Sequence, residues 1–196
     1  MKYLLIIFTA VSLFAQQNES VELKKLQKKF EEVNSIVSDF KQYTGGKQNI
    51  SGKFFYQKKN KTRLEIKNIF IISDGETTYN YNKKENKVII SNYNESDPNV
   101  LSIEKFIYDY PSKCSNVDQV TEVRNTIVMI PKDNSLNFKK AVIVLNSDSM
   151  ISKVVLIAKN GQSIEFVLSN LKLNPQIDAD KFSFSPPENS KVIDLR

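Results

Sequence analysis

The chain of 196 residues contains no histidine. Ser-His and Cys-His nucleophilic sites and His-ligated metal sites all need an imidazole that works near neutral pH. We therefore expect neither an enzyme nor a metal site, and we expect no cofactor.

Cysteine and glycine are almost as scarce as histidine. Cys114 is the single cysteine, so no intramolecular disulfide is available, and we expect a partly buried side chain in a connection between strands. The five glycines form no phosphate-binding loop. Asp39, Glu65 and Asp74 fit a helix end, a strand and a turn better than a pair of catalytic carboxylates.

Only one long hydrophobic run occurs, from Tyr3 to Phe14, between Lys2 and the small residue Ala15. This layout is typical of a secretory signal peptide, and a membrane span would need roughly 20 apolar residues. We expect residues 1–15 to be removed and residues 16–196 to form a single domain in the periplasm. No cysteine near the predicted cut offers a lipid anchor. The net charge is +6, and a basic protein can bind nucleic acid, but export argues against that partner. The charge therefore indicates attraction to an anionic membrane surface or an acidic partner.

Two segments carry apolar residues at helical spacing. The first predicts a long helix that starts at the N-cap Ser20, and the second predicts a helix from Pro98 that Pro111 ends. The first stripe consists of Leu23, Leu26, Phe30, Val33, Val37 and Phe40, and the second of Val100, Ile103, Phe106, Ile107 and Tyr110.

The rest of the chain alternates short β-like runs with polar turns, which predicts a mainly β (α+β) fold with a curved antiparallel sheet. We expect a bulge in the last long strand and, near the C-terminus, a short strand from Phe182 to Pro187 followed by one more extended segment. The interior of such a sheet is either a filled core or a ligand cavity. The predicted strands are Gly52–Lys58, Thr62–Lys67, Ile69–Ser73, Thr77–Asn82, Lys87–Asn92, Asp118–Arg124, Thr126–Ile130, Lys139–Asn146, Ser152–Ala158 and Ser163–Leu173.

A series of short motifs between Leu23 and Asp194 resembles the outer-membrane lipoprotein carrier (LolA) family. These motifs are Ser38-Asp39-Phe40-Lys41-Gln42, Ser51-Gly52-Lys53-Phe54, Arg63-Leu64-Glu65, Ser73-Asp74-Gly75, Tyr79-Asn80-Tyr81-Asn82 and the Phe182 to Pro187 tail. The resemblance implies an incomplete β-barrel covered by a helical lid. Its apolar interior would carry the acyl chains of lipoproteins from an inner-membrane ABC transporter to an outer-membrane receptor, as a monomer. A carrier or sensor of another amphiphile, such as a glycolipid or fatty acid, would use the same cavity.

The resemblance also suggests which residues form the site. Ile103, Phe106 and Ile107 would form the lid, and Lys58, where many members have arginine, is the candidate latch. The cavity wall is assigned by strand alternation, so any whole strand could face the other way. Its candidates are Phe54, Tyr56, Leu64, Ile66, Ile71, Tyr79, Tyr81, Val88 and Ile90.

Overall fold

The computed structural model describes residues 20–93, 102–120 and 125–196. The predicted signal peptide and the predicted start of the second helix at Pro98 lie outside these ranges. Within them, no helix is both long enough and apolar enough to cross a bilayer.

The described residues form one curved sheet of twelve strands, which confirms the predicted fold class. The sheet does not close, and its order is β12-β6-β5-β4-β3-β2-β1-β11-β10-β9-β8-β7. All neighbours are antiparallel except β12 and β6, which are parallel. The strands are β1 Ser35–Thr44, β2 Lys47–Gln57, β3 Lys61–Ile66, β4 Ile69–Asp74, β5 Thr77–Asn82, β6 Lys87–Asn92, β7 Cys114–Val120, β8 Asn125–Pro131, β9 Phe138–Leu145, β10 Ile151–Ala158, β11 Ser163–Leu173 and β12 Lys191–Asp194.

The sheet consists of two meanders, β1 to β6 and β7 to β11, joined along one seam. At this seam β1 pairs with β11, and the register places Phe40 opposite Leu168. The register shifts between Val37 and Asp39, which matches the bulge predicted in β11. Asn170 occupies the bulge with a φ of 53°, and its Nδ2 donates to Asp39 Oδ2 at 2.6 Å. Asparagine tolerates this left-handed backbone better than most residues do.

The first helix, α1 (Val21–Glu31), is shorter than predicted. Its N-cap is confirmed, because Ser20 Oγ accepts a hydrogen bond from the Leu23 amide at 2.9 Å. The prediction was wrong beyond Glu31, since Val37 and Phe40 lie in β1. In this segment a helical spacing and a strand-like alternation of apolar residues overlap. Pairing with a strand on each side of β1 stabilises the strand conformation.

The second helix consists of a π-helical turn, Lys105–Asp109, and a short α-helix, α2 (Tyr110–Ser112). Residues 103 and 104 are also helical and precede this pair, and we call residues 103–112 the cap helix. It runs through Pro111 instead of ending there. Proline has no N–H to give to the carbonyl four residues back, which is that of Ile107. Gln27 Nε2 of α1 donates to that carbonyl at 3.0 Å, so the break in the helix becomes a contact between helices.

The two faces of the sheet are covered differently. Both helices pack on the concave face, where one continuous apolar core includes residues of α1, the cap helix and both meanders. Cys114 belongs to this core and lies in β7, so placing it in a connection was wrong.

On the convex face, the tail crosses the first meander. The predicted strand Phe182–Pro187 was wrong, because the chain forms a 3₁₀ turn at Ala179–Phe182 and only Lys191–Asp194 is a strand. Phe182 is buried there.

Candidate functional site

A small apolar cavity lies between the cap helix and the concave face of the sheet. It crosses the seam, so both meanders supply its walls. Its free volume is about 30 Å³, little more than the space that one water molecule needs. All of its lining side chains are hydrocarbon or aromatic, and they are Phe40, Phe54, Ile103, Phe106, Ile151, Val154, Phe166 and Leu168.

Six further apolar side chains on the concave face pack against the core but are only partly buried. The concave face therefore offers solvent-accessible hydrocarbon outside the cavity as well. We call this surface the open shelf. It consists of Ile50, Ile66, Ile71, Leu156, Leu171 and Leu173.

Five of the nine predicted wall residues lie on the concave face. Phe54 lines the cavity, Tyr56 and Leu64 are buried in the core, and Ile66 and Ile71 belong to the open shelf. The strand register explains this grouping, because directly paired antiparallel residues share a face. Phe54 lies opposite Leu64, and Leu64 lies opposite Ile71.

The other four predicted wall residues lie on the convex face, so the facing assigned to β5 and β6 was inverted. Ile71 lies opposite Asn80, which puts Tyr79 and Tyr81 on the other side of the sheet. Their rings pack on Phe184 of the tail, with centroid distances of 5.6 and 5.4 Å. Their partners in β6 follow the same phase, and these are Val88 and Ile90.

The three predicted lid residues come together on the cap helix. Ile103 and Phe106 face the cavity, whereas Ile107 is fully buried in the core. Phe106 packs edge-on against Tyr110 at 5.1 Å, and Tyr110 packs against Phe138 of β9 at 5.5 Å. The cap helix is therefore seated by aromatic contacts.

A polar contact also joins the cap helix to the floor of the sheet. The Tyr56 hydroxyl donates a hydrogen bond to Glu104 Oε1, at the N-terminal end of the cap helix. Burial raises the pKa of the Tyr56 phenol far above its ordinary value, and the hydrogen bond to Glu104 raises it further. The phenol is thus a permanent donor. No spacing signal in the sequence marks this pair, because 48 residues separate the partners.

Lys58 contacts α1 and not the cap helix. Its Nζ donates to the Glu31 carbonyl at 2.7 Å, where a cation stabilises the negative end of the helix dipole. At the other end of α1, Asp118 Oδ2 accepts hydrogen bonds from the Val21 and Glu22 amides at 2.7 and 3.1 Å. Helix α1 is therefore fixed to the sheet at both termini.

The wall residues contributed by β1, β10 and β11 were missed. Phe40 was hidden by the helical spacing around it, and Val154 lies in a strand that is apolar on both faces. Ile164, Phe166 and Leu168 occupy every second position in β11, so their common face was visible in the sequence. The sequence does not show that β11 pairs with β1, so these residues could not be assigned to the same cavity as Phe40.

The carboxylates considered as candidate bases have structural contacts. Asp74 Oδ1 accepts from the Glu76 and Thr77 amides at 2.9 and 2.8 Å, which closes the predicted turn. Burial alone would raise the pKa of Glu65, but hydrogen bonds from Arg63 and Lys181 lower it below its ordinary value. Throughout the described ranges, no group of three or more Cys, Asp or Glu side chains could hold a metal ion.

Known proteins share this architecture. The family model for the outer membrane lipoprotein carrier protein LolA matches residues 31–185. An outer-membrane lipoprotein carrier protein of Actinobacillus pleuropneumoniae serotype 3 is 28% identical over 91% of this chain and 86% of its own. An uncharacterised protein of Methanocaldococcus jannaschii is also 28% identical, over 98% of this chain, and this chain spans 60% of that relative's length.

Solved structures agree on the fold. The crystal structure of an uncharacterised conserved protein from Thermus thermophilus superimposes with a TM-score of 0.58 at 11% identity, over 88% of this chain and 96% of that one. MucB superimposes with a TM-score of 0.50 at 13% identity, over 84% of this chain and 62% of its own.

Proposed function

Because this chain belongs to the family of outer membrane lipoprotein carrier proteins, LolA, we propose that it binds the acyl chains of lipoproteins on its concave face and carries them through the periplasm. The observation that supports this most directly is that the cavity and the open shelf lie on the same concave face. Both are lined by hydrocarbon. Each Å² of this apolar surface that a bound acyl chain removes from water stabilises the complex by roughly 25 cal/mol.

Acyl chains enter when the cap helix moves away from the sheet. The closed cavity has about 30 Å³, whereas sites for ligands of ordinary size have roughly 300–1,000 Å³. The space must therefore grow about tenfold. Helix α1 is fixed at both ends by Asp118 and Lys58, so the cap helix is the element that opens. Ile103 and Phe106 then exchange their contacts with the wall for contacts with the ligand.

The remaining steps of the route extend this proposal. After export and removal of residues 1–15, the protein receives lipoproteins from an inner-membrane ABC transporter. It delivers them to a receptor at the outer membrane, and it acts as a monomer without catalysis or a cofactor. Of the predicted wall, we assign Phe54, Tyr56, Leu64, Ile66 and Ile71 to the acyl-chain site.

Native mass spectrometry of the protein purified after export tests the ligand. We expect a bound triacylated lipoprotein, lost when detergent is added. A glycolipid or a free fatty acid bound reproducibly in its place would contradict the proposal and support a carrier of another amphiphile. The hydrocarbon lining accepts the tails of any of these molecules, so the measurement must identify the head group.

Phe106 offers a test of the cap helix itself. We expect Phe106→Asp to lower lipoprotein release from inner-membrane vesicles at least about tenfold, because a carboxylate beside the acyl chains loses its hydration. Tyr108→Asp is the matched control, since Tyr108 lies on the same helix and is 41% exposed. Circular dichroism and thermal unfolding show whether both variants fold. Equal release by the two folded variants would remove Phe106 from the site.

A further inference from the structure

The convex face of the second meander carries an apolar surface that no described helix or tail segment covers. Strand register places four valines side by side across β7, β8, β9 and β10. Val117 is 53% exposed and Ile130 on the same face is 49% exposed. We call this surface the valine face. It consists of the exposed Val117 and Ile130, the partly buried Val142, Val144, Val155, Ile157 and Val167, and Val128, which is buried among them.

The ionisable groups on the valine face are mostly cationic. Lys41, Lys140 and Lys153 share the face by register, and its carboxylates are Glu165 and, beside Lys41 on β1, Asp39, which accepts a hydrogen bond from Asn170. Lys153 Nζ already binds Glu165 at 3.0 Å. In the part of the chain that the structure describes, no carboxylate lies within ion-pair distance of Lys41 or Lys140. A partner that covers this face must therefore supply both apolar area and negative charge.

We propose that the valine face docks the protein onto the surface of an anionic phospholipid bilayer. Contiguous exposed apolar patches mark interaction sites, and each lysine beside an anionic membrane strengthens binding about fivefold. A second copy of this chain fits less well. Two convex faces touch over a narrow strip, and pairing them would bring together lysines of like charge. A fluid lipid surface can follow the curvature and supplies the opposite charge.

The two sides of the sheet would then have separate tasks. The concave face holds the cargo, and the convex face of the second meander holds the membrane. This inference does not depend on which amphiphile is carried, because none of the residues of the valine face lines the cavity or the open shelf.

Vesicle flotation tests the docking surface directly. The exported protein is mixed with vesicles of phosphatidylcholine alone or with vesicles in which about one lipid in three is phosphatidylglycerol, which gives them an anionic surface. We expect binding to the anionic vesicles only, reduced in high salt, which screens the lysines. All variants share one N-terminus, so any contribution of that segment cancels.

Three variants identify the surface. Lys41→Gln with Lys140→Gln should weaken binding about 25-fold, because each lysine contributes a factor of about five. Val117→Asp with Ile130→Asp should weaken it at least about tenfold. Val192→Asp is the matched control, since Val192 is 45% exposed on β12 at the other edge of the sheet, and it should bind as the parent does.

Several results would overturn the proposal. These are no binding to anionic vesicles, equal binding by all folded variants, or a dimer in sedimentation that Val117→Asp dissociates. Thermal unfolding of each variant establishes that it is folded. Retained binding of fluorescent acyl peptide by the Val117/Ile130 variant would show that cargo binding and docking are separate, so failure of one does not hide failure of the other.

Discussion

Replacing Tyr56 by phenylalanine should open the cap helix without disturbing the core. The substitution removes one oxygen atom and with it the hydrogen bond to Glu104. The ring remains, and it keeps its contact with Phe30 at a centroid distance of 5.6 Å. The closed state loses this hydrogen bond, whereas an open cap helix never had it.

The size of the effect follows from the partners. A hydrogen bond to a charged group contributes roughly 1.5–3 kcal/mol. Glu104 is only partly buried, so water replaces the phenol and the lower value applies. About 1.5 kcal/mol corresponds to a rise of about tenfold in the open fraction. When only the open form binds, the apparent affinity rises by the same factor.

Titration with a fluorescent diacylated peptide measures that affinity. We expect Tyr56→Phe to bind about tenfold more tightly than the parent protein. Tyr110→Phe is the control, because it removes the same atom from the cap helix and its hydroxyl makes no hydrogen bond among the described residues. If Tyr56→Phe binds as the control does, or more weakly, the hydrogen bond does not hold the cap helix closed.

Two further predictions concern stability. Gly52→Ala should lower the free energy of unfolding, measured by urea denaturation, by about 3 kcal/mol or more, because the added Cβ would lie 1.9 Å from the Glu65 carbonyl oxygen. Gly45→Ala is the control: its Cβ meets no atom within 4 Å, and its φ of 58° should cost only about 1 kcal/mol. Similar losses of stability in the two variants would contradict the packing argument. Glu65 has a lowered pKa in the folded protein, so its ion pairs stabilise the fold above the ordinary carboxyl pKa, and this stability is lost as pH falls through the lowered value. Glu65→Gln should therefore show a flatter fall in unfolding free energy below about pH 4 than the parent, and parallel curves would refute the assignment.

The sheet was largely predictable because its strands are connected locally. Short turns such as Asp74-Gly75 join strands that are neighbours both in the chain and in space. The predicted bounds of β3 to β6 therefore agree with the observed bounds to within one or two residues. The same local signals failed where contacts from distant residues decide the structure. Val37 and Phe40 fit a helical spacing equally well, and the strand is stabilised by pairing with β2 on one side and with the distant β11 on the other.

The candidate site was only half predictable for the same reason. Alternation divides each strand into two faces, but it does not say which face is concave. The aromatic side chains of β5 lie on the convex face, and they can be buried there because the tail covers that face. Tyr79 and Tyr81 therefore looked like wall residues until the position of Phe184 was known. The lid residues were easier, since a short isolated helix has one apolar stripe.

The seam between β1 and β11 also determines when the protein becomes able to bind. Phe40 comes from one side of this seam and Phe166 from the other, and their rings stack at 6.0 Å across it. A chain that is still being synthesised from its N-terminus has its first meander long before Phe166 is added. The complete cavity therefore cannot form until nearly the whole chain has been made, so a half-synthesised chain has one wall of the site and lacks the other.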